Sequence, residues 1–176
     1  GVPLPDGSVA EVNLDFDTLE NLSRISREDY GLAGAVQHGA STLPQDLFHK
    51  FAELETAEIH LATDFQNMIY GSTLFPADFK EEIYTHLREK FVGEKKSDQT
   101  DEQFIYKTRK KGFGEFKSRF WGLSNEIREG IGKELETKMD FLFDKLAVQN
   151  TKDAVNKTVE QVPIQPNLEN EISASS

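Results

Sequence analysis

Two short runs hold the residue types best suited to act on a metal and an anion, Gln37-His38-Gly39-Ala40-Ser41 and His60-Leu61-Ala62-Thr63-Asp64. His38 follows a short apolar stretch, so its ring sits where a strand ends and can offer a nitrogen to a metal. Gly39, Ala40 and Ser41 are small enough for backbone N–H groups to approach an anion closely. Thr63 and Asp64 begin a turn into a helix, where amides and a hydroxyl point outward together. A His before a Gly says little alone, and the joint pattern of the two runs carries the argument. His60 stays open between a satisfied interior residue and a ligand contact. His49 and His86 have no metal-ligand spacing to any other residue.

The elements that must position these residues read as follows. A helix is expected from about Asp17 to Tyr30, with Asp17 and Glu20 as a capping box and Leu19, Leu22 and Ile25 on one stripe. A strand at Ala33 to Val36 leads into His38. Pro44 opens a short helix with Leu47, Phe48 and Phe51 on its apolar side. A second strand, Glu58 to Ala62, alternates: Ile59 and Leu61 share one face, Glu58, His60 and Ala62 the other. Two strands each preceded by a helix fit parallel pairing better than a hairpin. Downstream the pattern is helical, with Phe79, Ile83, Leu87 and Phe91 at four-residue spacing. A charged linker runs from Gly93 to Gln99, and Thr100 with Gln103 forms a capping box. Gly112 and Gly114 interrupt the next helix. Ser124 caps a long helix striped by Ile127, Ile131, Leu135, Met139, Leu142 and Leu146. After Gln149 the aromatics vanish, and residues 150–176 read as a disordered tail.

Composition bounds the function. Thirty-one acidic residues against twenty basic ones give a net charge of −11, which opposes binding to nucleic acid or an anionic membrane. With no cysteine, disulfides and thiolate metal sites are excluded. No apolar run approaches a bilayer span and no secretory signal is visible, so a cytoplasmic location is expected. The basic cluster Lys107, Arg109, Lys110, Lys111, Lys117 and Arg119 reads as a solvated helix face, with the sharper alternative that one cation reaches a substrate phosphate.

The run Gly34-Ala35-Val36-Gln37-His38-Gly39-Ala40-Ser41-Thr42-Leu43-Pro44, followed by Ala57-Glu58-Ile59-His60-Leu61-Ala62-Thr63-Asp64, resembles the last two barrel strands of class II (zinc-dependent) fructose-bisphosphate aldolases. The match covers about the first half of the chain, and the helices from Thr100 onward are similar to the carboxyl-terminal extension of a longer branch of that family. The resemblance implies an α/β fold: the C-terminal part of a TIM-type (β/α)8 barrel over residues 1–92, an α-helical extension over 93–149, then the tail.

It further implies that His38 is the last of three histidines on Zn2+ or another divalent metal. Gly39 and Ser41 would hold a phosphate of the ketose, Thr63 would add a hydroxyl, and Ala40, His60, Leu61 and Ala62 would line the substrate. His60 and Ala62 stand where commoner members carry Asn and Asp, which leaves tagatose bisphosphate open beside fructose 1,6-bisphosphate. On this reading the metal polarises the ketose carbonyl in a reversible aldol cleavage to dihydroxyacetone phosphate and an aldehyde phosphate. The other two histidines and the acid/base Asp would lie upstream of Gly1, the loop Gly1-Val2-Pro3 following the second ligand. No catalytic residue falls in this segment, which alone is expected to be unstable and inactive. The full-length enzyme would be a homodimer or higher homo-oligomer. The competing expectation is a non-enzymatic, acidic helical interaction module whose His-Gly-Ala-Ser loop is incidental.

Overall fold

Asp15 starts the first helix, α1 (Phe16–Glu28), accepting the Thr18 amide at 3.0 Å and its hydroxyl at 2.6 Å. The expected Asp17–Glu20 box does not form the cap, because Asp15 already satisfies the exposed amide of the first turn. The computed structural model describes Leu4, residues 14–165 and Asn167. The reading of Gly1-Val2-Pro3 and the tail reading over 168–176 lie outside the described residues.

Strands β1 (Val36–Gln37) and β2 (Glu58–Ile59) pair in parallel as expected, Val36 opposite Glu58 and Gln37 opposite Ile59, though both are shorter than the expected Ala33–Val36 and Glu58–Ala62. The crossover between them carries α2 (His49–Glu53). Glycine geometry brackets β1. Gly34, at φ 141°, has room only for a hydrogen, since a Cβ there would meet the Glu55 carbonyl at 2.8 Å. Gly39, at φ 74°, turns the chain away just past β1.

Among the described residues every regular element downstream is helical: α3 (Thr63–Gly71), α4 (Ala77–Lys90), α5 (Asp101–Thr108), α6 (Gly112–Glu115), α7 (Lys117–Trp121), α8 (Asn125–Lys145) and α9 (Lys152–Thr158). The Thr100–Gln103 capping box and the Ser124 cap both form. The helical run is broken into α5, α6 and α7 by a 3-10 turn at Arg109–Lys111, just before Gly112, and by a turn at Phe116, while Gly114, expected to interrupt it, lies within α6. Among the described residues no helix is long and apolar enough to cross a membrane.

The barrel expectation is overturned. The described residues are mostly helical, with two strands of two residues each. A barrel wall needs several strands of matched length, with helices packed on its outer face. Here the helices instead pack on one another around their own aromatic core. Tyr70, Phe75, Phe79, Ile83, Leu87, Phe104, Ile105 and Ile131 form that core. A second, smaller core sits under the strands and joins Leu19, Ala40, Leu43, Phe48, Phe51 and Leu142.

Helix α8 ties the two together. Ile131 enters the first core and Leu142 the second, so the long stripe read from the sequence serves two separate packing surfaces. Between them Lys138, only 9% exposed, reaches Asp64 in the first turn of α3 at 2.8 Å.

Candidate functional site at the strand ends

The parallel pair brings the two sequence runs side by side. The ladder extends one bond past the strands, with the His60 amide donating to the Gln37 carbonyl at 2.9 Å. Gly39 then opens a single 3-10 turn, Ala40–Thr42, closed by the Leu43 amide on the Ala40 carbonyl at 3.1 Å. That turn swings Ser41 back toward β2, where its hydroxyl accepts the Ala62 amide at 3.1 Å. Thr63 is the first residue of α3, and Ala62 before it supplies no side-chain cap. The first-turn amides of α3 are therefore left for solvent or an anion.

His38 and His60 meet across the corner with ring centroids 4.3 Å apart, tilted by 33°. Glu58, on the same face as His60, pairs with the His60 Nε2. The expected alternation holds: Ile59 and Leu61 pack against the second core, while Glu58, His60 and Ala62 lie on the opposite face. That face is exposed rather than turned into a barrel interior, because among the described residues no further strand continues the sheet on either side.

The anticipated site residues thus divide. His38, Gly39, Ser41, His60 and Thr63 gather at one corner. Ala40 is 1% exposed and Leu61 half-buried, so both serve packing. Asp64 is engaged by Lys138. Among the described residues no three His, Asp or Glu side chains gather closely enough to hold a metal ion. The corner offers one or two imidazoles toward a metal, and these residues alone do not complete such a site.

Three of the six residues of the basic cluster are engaged by the structure, and Lys107, Lys110 and Lys117 are exposed. Arg109 donates to Asn67 and lies over the Tyr106 ring at 4.6 Å. Lys111 pairs with Glu94 and covers Phe91, and Arg119 pairs with Glu82 and covers Phe79 at 4.3 Å. Lys117 has no acidic partner among the described residues, and it lines an open groove of about 520 Å³. Phe113, Phe120, Trp121, Ile131 and Leu135 make the groove apolar, and Arg128 gives it a second cation. Sequence reasoning missed this surface. Its signal was the one tryptophan of the chain, set beside the Phe-rich stretch 113–120.

No family model matches the chain, and neither a curated protein nor a solved structure matches it at a significant level.

Proposed function

We propose that this chain contributes the metal- and phosphate-binding corner of a metal-dependent ketose-bisphosphate aldolase, acting at a cytoplasmic location on fructose 1,6-bisphosphate or a related ketose such as tagatose bisphosphate. The observation that carries the reading is the convergence of His38, the Gly39–Ser41 turn and the start of α3 at the ends of one parallel strand pair. His38 offers a ring nitrogen to the metal. Gly39 and Ser41, with the Thr63 hydroxyl and the uncapped amides of α3, hold a phosphate. The metal, when bound, supplies the positive charge that polarises the ketose carbonyl. Its remaining ligands and the acid/base carboxylate come from outside residues 1–176.

The test is bisphosphate cleavage by the whole gene product that contains this segment. Activity is expected to need a divalent metal, to fall by orders of magnitude in His38→Ala, and to show a raised KM in Ser41→Ala. No cleavage of either ketose bisphosphate, or cleavage that survives both chelation and His38→Ala, sinks the reading. The groove beside Trp121 favours a second reading, an acidic helical interaction module. That module predicts no cleavage and no metal dependence in the same assay.

A further inference from the structure

The groove and the carboxyl-terminal segment are two unpartnered surfaces of opposite character on one chain. The groove is concave and apolar, with Trp121 69% exposed beside it. Lys117 and Arg128 line it; Lys117 has no acidic partner among the described residues, and the Arg128 guanidinium donates to the neutral Asn125 side chain at 2.6 Å. The described lining of the groove holds these two cations and no carboxylate, a locally positive surface on a chain of net charge −11.

The segment after α8 shows the converse. Residues 151–165 are all exposed, so this described segment does not cover the groove. Past α9 the backbone turns extended at Val159 (φ −111°, ψ 114°). Val159, Val162 and Ile164 are then 57%, 76% and 86% exposed. Pro163 stiffens this stretch, and Glu160 charges it negatively. An extended, proline-containing apolar strip is the shape that aromatic-lined grooves take up, because little conformational entropy is lost on binding.

We infer that the groove is a docking site for the segment Val159–Ile164 of a second copy of this chain, giving a dimer in which each copy lends its end to the other. The exchange is reciprocal, so both grooves are filled and the assembly closes with two-fold symmetry. Val162 and Ile164 enter the aromatic groove, and Glu160 faces Lys117 and Arg128. Because two copies of net charge −11 repel at long range, this local match of opposite charge selects the docking face. The inference is independent of the aldolase reading.

Sedimentation velocity over a concentration series tests it, with Trp121 emission as a second readout. The full chain is expected to dimerise as concentration rises, with Trp121 shifting to the blue. In full-length Val162→Asp/Ile164→Asp the dimer dissociation constant is expected to rise about tenfold or more, the scale of losing interface anchors. Lys117→Glu is expected to weaken the dimer, and Glu160→Lys in the same chain to recover part of the loss. These substitutions fall on exposed side chains, so an unchanged far-ultraviolet spectrum is expected throughout. A chain monomeric at every concentration overturns the proposal. A dimer indifferent to Val162→Asp/Ile164→Asp overturns it too, since another face then holds the copies together. So does a strict monomer whose Trp121 emission responds to that double substitution, because the segment then docks on its own body.

Discussion

The aromatic helical core and the strand-end corner are built on opposite principles. In the core Tyr70 touches four aromatic neighbours, Phe75, Tyr84, Phe113 and Phe120, with ring centroids 5.2 to 6.4 Å apart. Its hydroxyl is satisfied by the Arg109 carbonyl at 2.9 Å. Gly112 passes so close that a Cβ would stand 2.7 Å from both Ile83 Cγ2 and the Tyr70 oxygen. At the corner, by contrast, His38, Gly39, His60 and Ala62 are exposed, and one hydroxyl-to-amide bond joins the Ser41 turn to the start of α3. Close packing makes the first region stable. The second leaves the His38 ring exposed and the start of α3 without a side-chain cap, openness that a close-packed core does not allow.

The largest effect should come from the centre of the aromatic core. Phe79 is 2% exposed and lies 5.1 Å from Phe120 and 5.5 Å from Phe75, centroid to centroid. Phe79→Ala is expected to cost about 3–5 kcal/mol in urea denaturation, through lost transfer energy and the cavity left behind. A cost below about 1 kcal/mol would show that the core collapses around the gap, and the contrast with the corner would fail.

The bridge between the regions comes next. Asp64→Asn leaves the Lys138 ammonium buried without its counter-charge, whereas Lys138→Met leaves a carboxylate that water still reaches. Asp64→Asn is therefore expected to cost about 2 kcal/mol, below the range for fully buried pairs because Asp64 is part-exposed, and Lys138→Met less. The reverse order would mean that α8 is held by its apolar contacts, with the ion pair incidental.

Tyr70→Phe removes a buried hydroxyl and its hydrogen bond, an expected loss of about 1 kcal/mol at neutral pH. The pH dependence sharpens the test. Burial raises the Tyr70 phenol well above its ordinary value of 10.0, so the folded state keeps a proton that the unfolded state loses. This contribution is fully present below pH 10 and is lost as pH rises above it. Tyr70→Phe should flatten the alkaline decline in stability measured by denaturation at stepped pH. An unaltered decline would place the alkaline sensitivity in other groups.

What the sequence made legible was local. The Thr100–Gln103 box, the Ser124 cap and the buried Phe79, Ile83 and Leu87 all follow from spacing within one or two helical turns. Parallel pairing of the two strands was readable from the helix between them. The barrel was not a safe extension of that pairing, because what lies beyond two strands is set by long-range packing. The alternation put His60 and Ala62 on one face, but only the number of neighbouring strands decides whether that face meets protein or water. The stripe on α8 has the same ambiguity. Periodicity marks Ile131 and Leu142 as buried without saying that they enter different cores. The Asp64–Lys138 bridge left no local trace at all.

The smallest predicted change in stability belongs to the corner itself. Ser41→Ala removes the acceptor of the Ala62 amide, but that amide lies at an exposed site where water can replace the hydroxyl. The cost should stay within about 0.5–1 kcal/mol. The same substitution should raise KM for a ketose bisphosphate if Ser41 holds phosphate in the whole enzyme. A loss of stability comparable to that of Phe79→Ala would make Ser41 a structural clasp between the two strand ends. A marginal loss joined to a large change in KM would separate the regions as argued, with packing in the helices and chemistry at the strand ends.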